Sequence, residues 1–271
     1  MVARRSSSDF AGLPSEEALQ KALAQCEAEV DSLREQLAGL RSSGGQFLSD
    51  GAHAIRSPLT VTHSYLEILH TDLREGLTEE QQTFLGIAYE NADKLRRLVD
   101  DLVDLAALET GTAQIELAPA RVGDIVEGVR AELEPSVAEI GIELTTEVAA
   151  NLPSATVDEE QLKNVLRRLI GNAVRFSHDG GSVLLRASSD QNNVIFEIID
   201  TGVGIPDGRV TDALEPFVQL HRKPGENREG YGLGLPLSRS IVEAFGGTIE
   251  IGSIEGEGTT VTIRTPAGPS Q

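Results

Sequence analysis

Tryptophan is absent from the 271-residue chain, cysteine and methionine occur once each, and aromatic residues make up only 4%. A single cysteine excludes an internal disulfide framework, and no Cys/His spacing resembles a zinc site. Any core must therefore be assembled from Leu, Ile, Val and Ala. Positive charge is also scarce: 23 Lys and Arg stand against 43 Asp and Glu, giving a formal net charge of -20 and a pI near 4.6. Such a surface repels nucleic acids and anionic membranes, so neither is an expected partner, whereas basic protein surfaces are admissible. No apolar run is long enough to span a bilayer, and the opening Met1-Val2-Ala3-Arg4-Arg5-Ser6-Ser7-Ser8 does not read as a signal peptide. The expectation is a soluble protein of a reducing, cytoplasmic setting, without membrane insertion.

Residues 1–14 are small and polar and are expected to be a disordered tail. Over 15–45, Leu23, Val30 and Leu37 fall at heptad a, with Leu19, Cys26, Leu33 and Leu40 at d. Glu29 takes g and Arg34 the following e, which suits a parallel two-stranded coiled coil; the other reading is one amphipathic helix packed on its own chain. Cys26 is then either half of an interchain disulfide or a small apolar core residue, the latter favoured in a reducing compartment. The stripe resumes as Leu48, Ala52, Ile55, Leu59, Thr62, Leu66, Leu69 and Leu73. The step from Leu40 to Leu48 is one residue longer than a heptad, a slip of about 100° of helix rotation. Ser42-Ser43-Gly44-Gly45 is either a joint between coil and bundle or a plain loop.

A second long helix is expected from Thr78, whose spacing to Gln81 is that of a capping box, to about Glu109, with Gly111 ending it. Residues 46–111 thus read as a helical hairpin. One hairpin cannot bury both of its apolar stripes well, whereas two chains can, as a dimeric four-helix bundle. Beyond residue 112 the period changes. Strands are expected near Ile115–Leu117, Ile142–Val148, Ala155–Val157, Ser182–Ser188, Val194–Asp200, Thr248–Ser253 and Gly258–Thr265, with helices over Val122–Ala138, Glu159–Phe176 and Leu235–Phe245. Asp190–Asn193 reads as a hairpin turn. The expected fold is α + α/β: coiled coil, helical hairpin, and an α/β sandwich over 112–267 large enough for its own core.

The chemistry concentrates in that last region. Asp200 closes an apolar strand and is followed by Gly202 and Gly204, which let the backbone approach a flat ring without a Cβ in the way. Gly230, Gly232 and Gly234 free several N–H groups before the helix starting near Leu235, where polyphosphate is favoured by the helix dipole. Together they read as a nucleotide pocket. Asn172 is a neutral oxygen donor suited to holding Mg²⁺ alongside phosphate oxygens, and Arg175 can offset phosphate charge. On the first hairpin helix, Ala52 takes an inward position, so His53 faces water as a nucleophile that is largely unprotonated near neutrality. Pro58 removes a hydrogen bond below it. His63, His70, His178 and His221 show no ligand spacing and read as surface residues.

With these motifs in order the chain resembles a bacterial sensor histidine kinase. Residues 47–110, with His53-x-x-Arg56-Ser57-Pro58-Leu59, resemble the dimerisation and histidine-phosphotransfer domain. Residues 113–265 resemble the Bergerat-fold ATP-binding domain: Asn172 matches the N-box, Asp200-x-Gly202-x-Gly204 the G1 box, Glu215-Pro216-Phe217 the F-box and Gly230-x-Gly232-x-Gly234 the G2 box. Gly256-Glu257-Gly258-Thr259 matches the closing glycine element. The resemblance implies that Asp200 accepts the adenine amino group and that Asn172 holds Mg²⁺. It implies a mobile lid over about 217–232, with Arg222, Lys223 and Arg228 against phosphate. It also implies transfer of the γ-phosphoryl group of ATP to His53 and onward to the aspartate of a separate response-regulator receiver.

Two positions depart from the family pattern. Ala54 replaces the acid that usually follows the histidine and assists removal of the imidazole proton; Asp50, one turn earlier, either substitutes for it as a base or caps the helix. Arg168 stands where an asparagine usually precedes Asn172 by four residues, and it either contacts phosphate or hinders the metal. Arg168 cannot act as a general base, which disfavours a water-activating ATPase. These departures motivate an alternative, a kinase-like nucleotide-binding signalling scaffold with weak or no autophosphorylation. Neither a sensor nor a receiver is recognised in the chain, so input is expected from an upstream sensor protein through the coil.

Overall fold

The computed structural model describes residues 45–71, 77–220 and 231–268, the side chains of residues 45–54 and 57 excepted. The predicted tail, the heptads from Leu19 to Leu40 with Cys26, and Arg222, Lys223, Arg228 and Gly230 lie outside the described residues.

Two long helices come first, α1 (Gly45–Thr71) and α2 (Glu79–Glu109), packed on each other. The expected capping box is formed: Thr78 Oγ1 accepts from Gln81 N–H at 3.3 Å, and the Gln81 side chain accepts from Thr78 N–H at 3.0 Å. Leu59 of α1 is buried against Val99 and Val103 of α2. Pro58 lies inside α1, and Thr62 Oγ1 donates to its carbonyl at 3.0 Å. The outer stripe stays uncovered: Ile55, Val61, Tyr65 and Ile68 of α1 and Phe84 and Ile87 of α2 are exposed.

The four other histidines differ from one another. His178 is exposed as expected and His221 lies outside the described residues. His63 is not a surface residue. Its side chain is only 12% exposed, with Nε2 3.4 Å from Asp93 Oδ1. Tyr89 inserts between His63 and His70, with ring centroids 5.2 and 5.0 Å away. Lack of ligand spacing does not imply exposure: two turns apart, the two imidazoles share a face of α1, and a facing aromatic covers both.

The α/β region starts with β1 (Ala118–Ala120) and α3 (Val122–Glu139), followed by β2 (Glu143–Val148), β3 (Ala155–Val157), α4 (Glu159–Phe176), β4 (Ser182–Ser189) and β5 (Asn193–Asp200). It closes with α5 (Gly234–Ala244), β6 (Thr248–Ile254) and β7 (Gly258–Pro266). The first strand lies past the expected Ile115–Leu117, because Ala118, Pro119 and Ala120 pair antiparallel with Val157, Thr156 and Ala155. Leu117 is left exposed. The main sheet has order β2-β4-β5-β7-β6, parallel between β2 and β4 and antiparallel elsewhere. Asp190 shapes the β4–β5 turn, its Oδ1 accepting from Asn192 and Asn193 N–H at 2.9 and 2.8 Å.

Alternation places Val183, Leu185 and Ala187 of β4 and Val194, Phe196 and Ile198 of β5 on the buried face. They share one apolar cluster with Ile125 and Val129 of α3, Leu162, Leu166 and Leu169 of α4, and Leu237 and Ile241 of α5. With Trp absent, Phe196 is the only aromatic among the largest fully buried side chains of the described residues. Phe196→Ala is expected to cost about 3–5 kcal/mol, read as a lower urea midpoint for the α/β region.

Candidate functional site

The same alternation that buries Val194, Phe196 and Ile198 puts Asp200 on the helix-facing side, as the final residue of its strand. Asp200 is 8% exposed, one of few buried polar residues among those described. Its Oδ1 accepts from Gly202 N–H at 2.9 Å and from Thr259 N–H at 3.1 Å. No described residue donates to its Oδ2, so one carboxylate oxygen is fixed by backbone and the other remains available. Burial raises the Asp200 pKa above the ordinary carboxylate value, and the two N–H bonds oppose that shift. An ionised Asp200 therefore costs folding free energy, a cost absent below its unfolded pKa and complete once pH passes the raised folded one.

Three glycines make this placement possible. A Cβ on Gly202 would lie 2.3 Å from the Phe176 carbonyl, and one on Gly258 2.0 Å from the Asp200 carbonyl. Gly204, at φ +67, passes as closely to Ile254. The loop after Asp200 is stitched on both sides. Val203 N–H donates to Phe176 O at 3.0 Å, hooking it to the end of α4, and Gly256 N–H donates to Val203 O at 2.8 Å. Ser253 Oγ receives Ile205 N–H at 2.8 Å, and it also lies 2.9 Å from Thr259 Oγ1.

The second half of the site is built from α4 and α5. Asn172 sits on α4, one turn before the end that holds the glycine loop. A Cβ on Gly234 would lie 3.4 Å from Asn172 Nδ2, so the amide stands beside the first residue of α5, with Leu235 next in that helix. This brings a neutral amide to a helix N-terminus, where anions are favoured. Mg²⁺ that is bound chiefly through phosphates needs few protein oxygens, and one half-buried amide here fits that demand. Among the described residues no group of three or more His, Cys, Asp and Glu could hold a metal. Arg175 is exposed and its guanidinium lies 4.4 Å over the Phe176 ring.

Phe217 adopts φ +65, unusual for a residue with a side chain. Its N–H donates to Gly232 O at 2.9 Å, and a Cβ on Gly232 would lie 2.6 Å from Val218 O. The F-box and the second glycine cluster are thus tied at their facing ends. Most of the stretch expected as a lid, residues 221–230, lies outside the described residues.

Arg168 points elsewhere than to Asn172. Its Nη2 is 2.7 Å from Asp101 Oδ1 and 3.9 Å from Asp104 Oδ2, both on α2. Burial raises the carboxyl pKa of Asp101 and of Asp104, and Arg168 pulls each back down. Arg56 meets the same helix, its Nε 2.8 Å from Asp100 Oδ1. His53, Asp50 and Ala54 lie on α1 with side chains outside the described residues. Sequence reasoning missed Asp101, Asp104 and Ser253; their acidic and polar surroundings in the chain carry no signal for these contacts.

Comparisons with known proteins assign the two regions to families. The family model "Histidine kinase-, DNA gyrase B-, and HSP90-like ATPase" matches residues 157–269, and "His Kinase A (phospho-acceptor) domain" matches residues 44–111. The chain is 30% identical over 224 residues to the circadian input-output histidine kinase CikA of Synechococcus elongatus, covering 82% of this chain and 30% of that protein. It is 29% identical over 250 residues to the cell-division control histidine kinase PdhS of Brucella anthropi, covering 89% and 24%. An uncharacterized sensor-like histidine kinase of Rhizobium meliloti is 29% identical, with 83% and 43% covered. The chain thus spans less than half the length of these relatives. The crystal structure of full-length ShkA in complex with AMPPNP superposes with a TM-score of 0.71 at 29% identity, over 84% of this chain and 47% of that one. Among the described residues no helix is long and apolar enough to cross a membrane.

Asp200→Asn keeps an acceptor for both N–H groups but turns the open position into a donor. The expected outcome is an unchanged or higher urea midpoint at pH 7, together with adenine-nucleotide affinity at least tenfold lower, about 1.4 kcal/mol, measured by calorimetry.

Proposed function

The chain belongs to the sensor histidine kinase family, and on that premise we propose that it is an ATP-dependent protein histidine kinase that phosphorylates His53. The observation that carries this reading is the pairing of a backbone-locked, open-ended Asp200 with an Asn172 amide at the start of α5. Asp200 Oδ2 would accept from the adenine amino group, while Gly202 and Gly204 leave room for the ring. The polyphosphate would extend toward Asn172, Gly232, Gly234 and the N–H groups opening α5, with Arg175 at its flank; Arg228 and Gly230 are assigned to it by the family motif alone. Mg²⁺ held by Asn172 would neutralise phosphate charge.

In the transfer, the Nε2 lone pair of His53 bonds to the γ-phosphorus as the bond to the bridging oxygen breaks, and ADP departs. Positioning and charge supply most of the acceleration in such loose transition states. The imidazole proton must then leave, and with Ala54 in place of an acid, Asp50 is the nearest carboxylate along α1 in sequence. The phosphoryl group would pass to an aspartate of a separate receiver. The uncovered stripe of Ile55, Val61, Tyr65, Phe84 and Ile87 supports a homodimer closed as a four-helix bundle. A sensor protein acting through the N-terminal heptads and a cytoplasmic setting complete the reading.

Incubation with γ-labelled ATP and Mg²⁺ tests it. Wild type should acquire acid-labile, alkali-stable label, and His53→Ala should acquire none. Nucleotide binding without label would replace the kinase with a signalling scaffold. Restoring the acid by Ala54→Glu is expected to speed labelling by roughly 10²-fold, followed as the initial rate at saturating ATP.

A further inference from the structure

Arg168 has no described partner besides Asp101 and Asp104. All three side chains are at least half-buried, at 24%, 22% and 46% exposed. A guanidinium and two desolvated carboxylates so placed bind more firmly than a surface pair, and neither side tolerates losing the other without a substitute. The contact joins α4 of the ATP-binding region to α2 of the hairpin. It flanks an apolar seam in which Leu105 of α2 shares a cluster with Leu233 and with Leu237 of α5, and Leu98, Leu102 and Leu108 pack against that cluster. The hairpin therefore docks on the helix whose first turn stands beside Asn172.

Arg168 is also one turn from Asn172 on the same helix, about 6 Å of rise. Side chains four apart share a face, and an arginine reaches across such a distance to a planar anion with several donors. The same guanidinium is thus within one side-chain reorientation of two anionic sites: the α2 carboxylates that now hold it, and the polyphosphate position beside Asn172 and Gly234.

We propose that Arg168 is a shared cation, held by Asp101 and Asp104 when the ATP-binding region is docked on α2 and drawn to the terminal phosphates when ATP binds, so that nucleotide occupancy loosens docking. This rests on the ATP-binding reading of the Asp200 and Asn172 site. Reciprocity follows: if ATP weakens the clasp, cutting the clasp must tighten ATP by the same factor. The neighbouring Arg56–Asp100 contact sits on the same stretch of α2, so release of Asp101 and Asp104 would alter the charge facing the helix that carries His53. The burial that raises the pKa of both carboxyls supports the competition, since each gains from a cation that phosphate also attracts.

The test uses the full chain and compares ATP with adenosine, which lacks phosphate. In the Asp101→Asn/Asp104→Asn double variant, affinity for Mg-ATP should rise about fivefold or more, with adenosine affinity unchanged. In a background already carrying Arg168→Asn, the same two substitutions should leave ATP affinity unchanged. In wild type, ATP should accelerate amide hydrogen exchange over residues 98–108, and adenosine should not. Equal tightening of ATP and adenosine, or unaltered ATP affinity in the double variant, would overturn the shared-cation inference while leaving the nucleotide site intact. Wild type that binds neither ATP nor adenosine would overturn the site reading and this inference with it.

Discussion

One carboxylate oxygen receives two backbone N–H groups, and much of the site is arranged around that convergence. Gly202 and Thr259 approach Asp200 Oδ1 from two different loops, one after β5 and one at the start of β7. Both loops can come so near only because Gly202 and Gly258 lack side chains, their missing Cβ atoms falling on the Phe176 and Asp200 carbonyls. The strand pairing of β5 with β7 sets the spacing, and the close passage of Gly204 to Ile254 extends it to β6. A buried ionised group without such donors would be strongly unfavourable. The carboxylate is tolerated because the fold supplies donors for one oxygen and keeps the other free.

The hairpin and the α/β region meet through a different kind of contact. Leucines of α2 join the apolar cluster that contains Leu233 and Leu237, and charged pairs edge the seam. Apolar packing of this sort is indifferent to small rotations, whereas an arginine on a particular aspartate specifies a register. The Arg56–Asp100–Arg96–Asp93 chain along α1 and α2 specifies the hairpin's own register in the same way.

Much of the fold is written in short-range signals. The bounds of α4 follow from Asp158 as N-cap, a strong apolar face and Ser177 beyond Phe176, all within one stretch of chain. The Thr78–Gln81 capping box and the Asp190 turn are equally short-range. Asp200 was legible because an acid ending an apolar strand before two glycines is unusual on physical grounds. Long-range pairings were not legible. Arg168 finds Asp101 across 67 residues, and an acid-rich α2 offers many indistinguishable partners. Burial of His63 depends on Tyr89 from the facing helix, and the offset of β1 depends on β3. The left-handed turn at Phe217 violates the usual preference for glycine, so no sequence rule points to it.

The hook between Val203 and the Phe176 carbonyl, with the Ser177–Gly202 bridge beside it, has a mechanical corollary. The loop under Asp200 and the helix bearing Asn172 are welded at a shared joint, so the two ends of the proposed nucleotide site behave as a single jig rather than as two jaws. A small molecule lodged at the Asp200 end would find the far end already aligned, and extending it toward Asn172 would demand little further reshaping of the protein. Chemical elaboration from one anchor outward is the natural strategy for building a ligand to that proposed site.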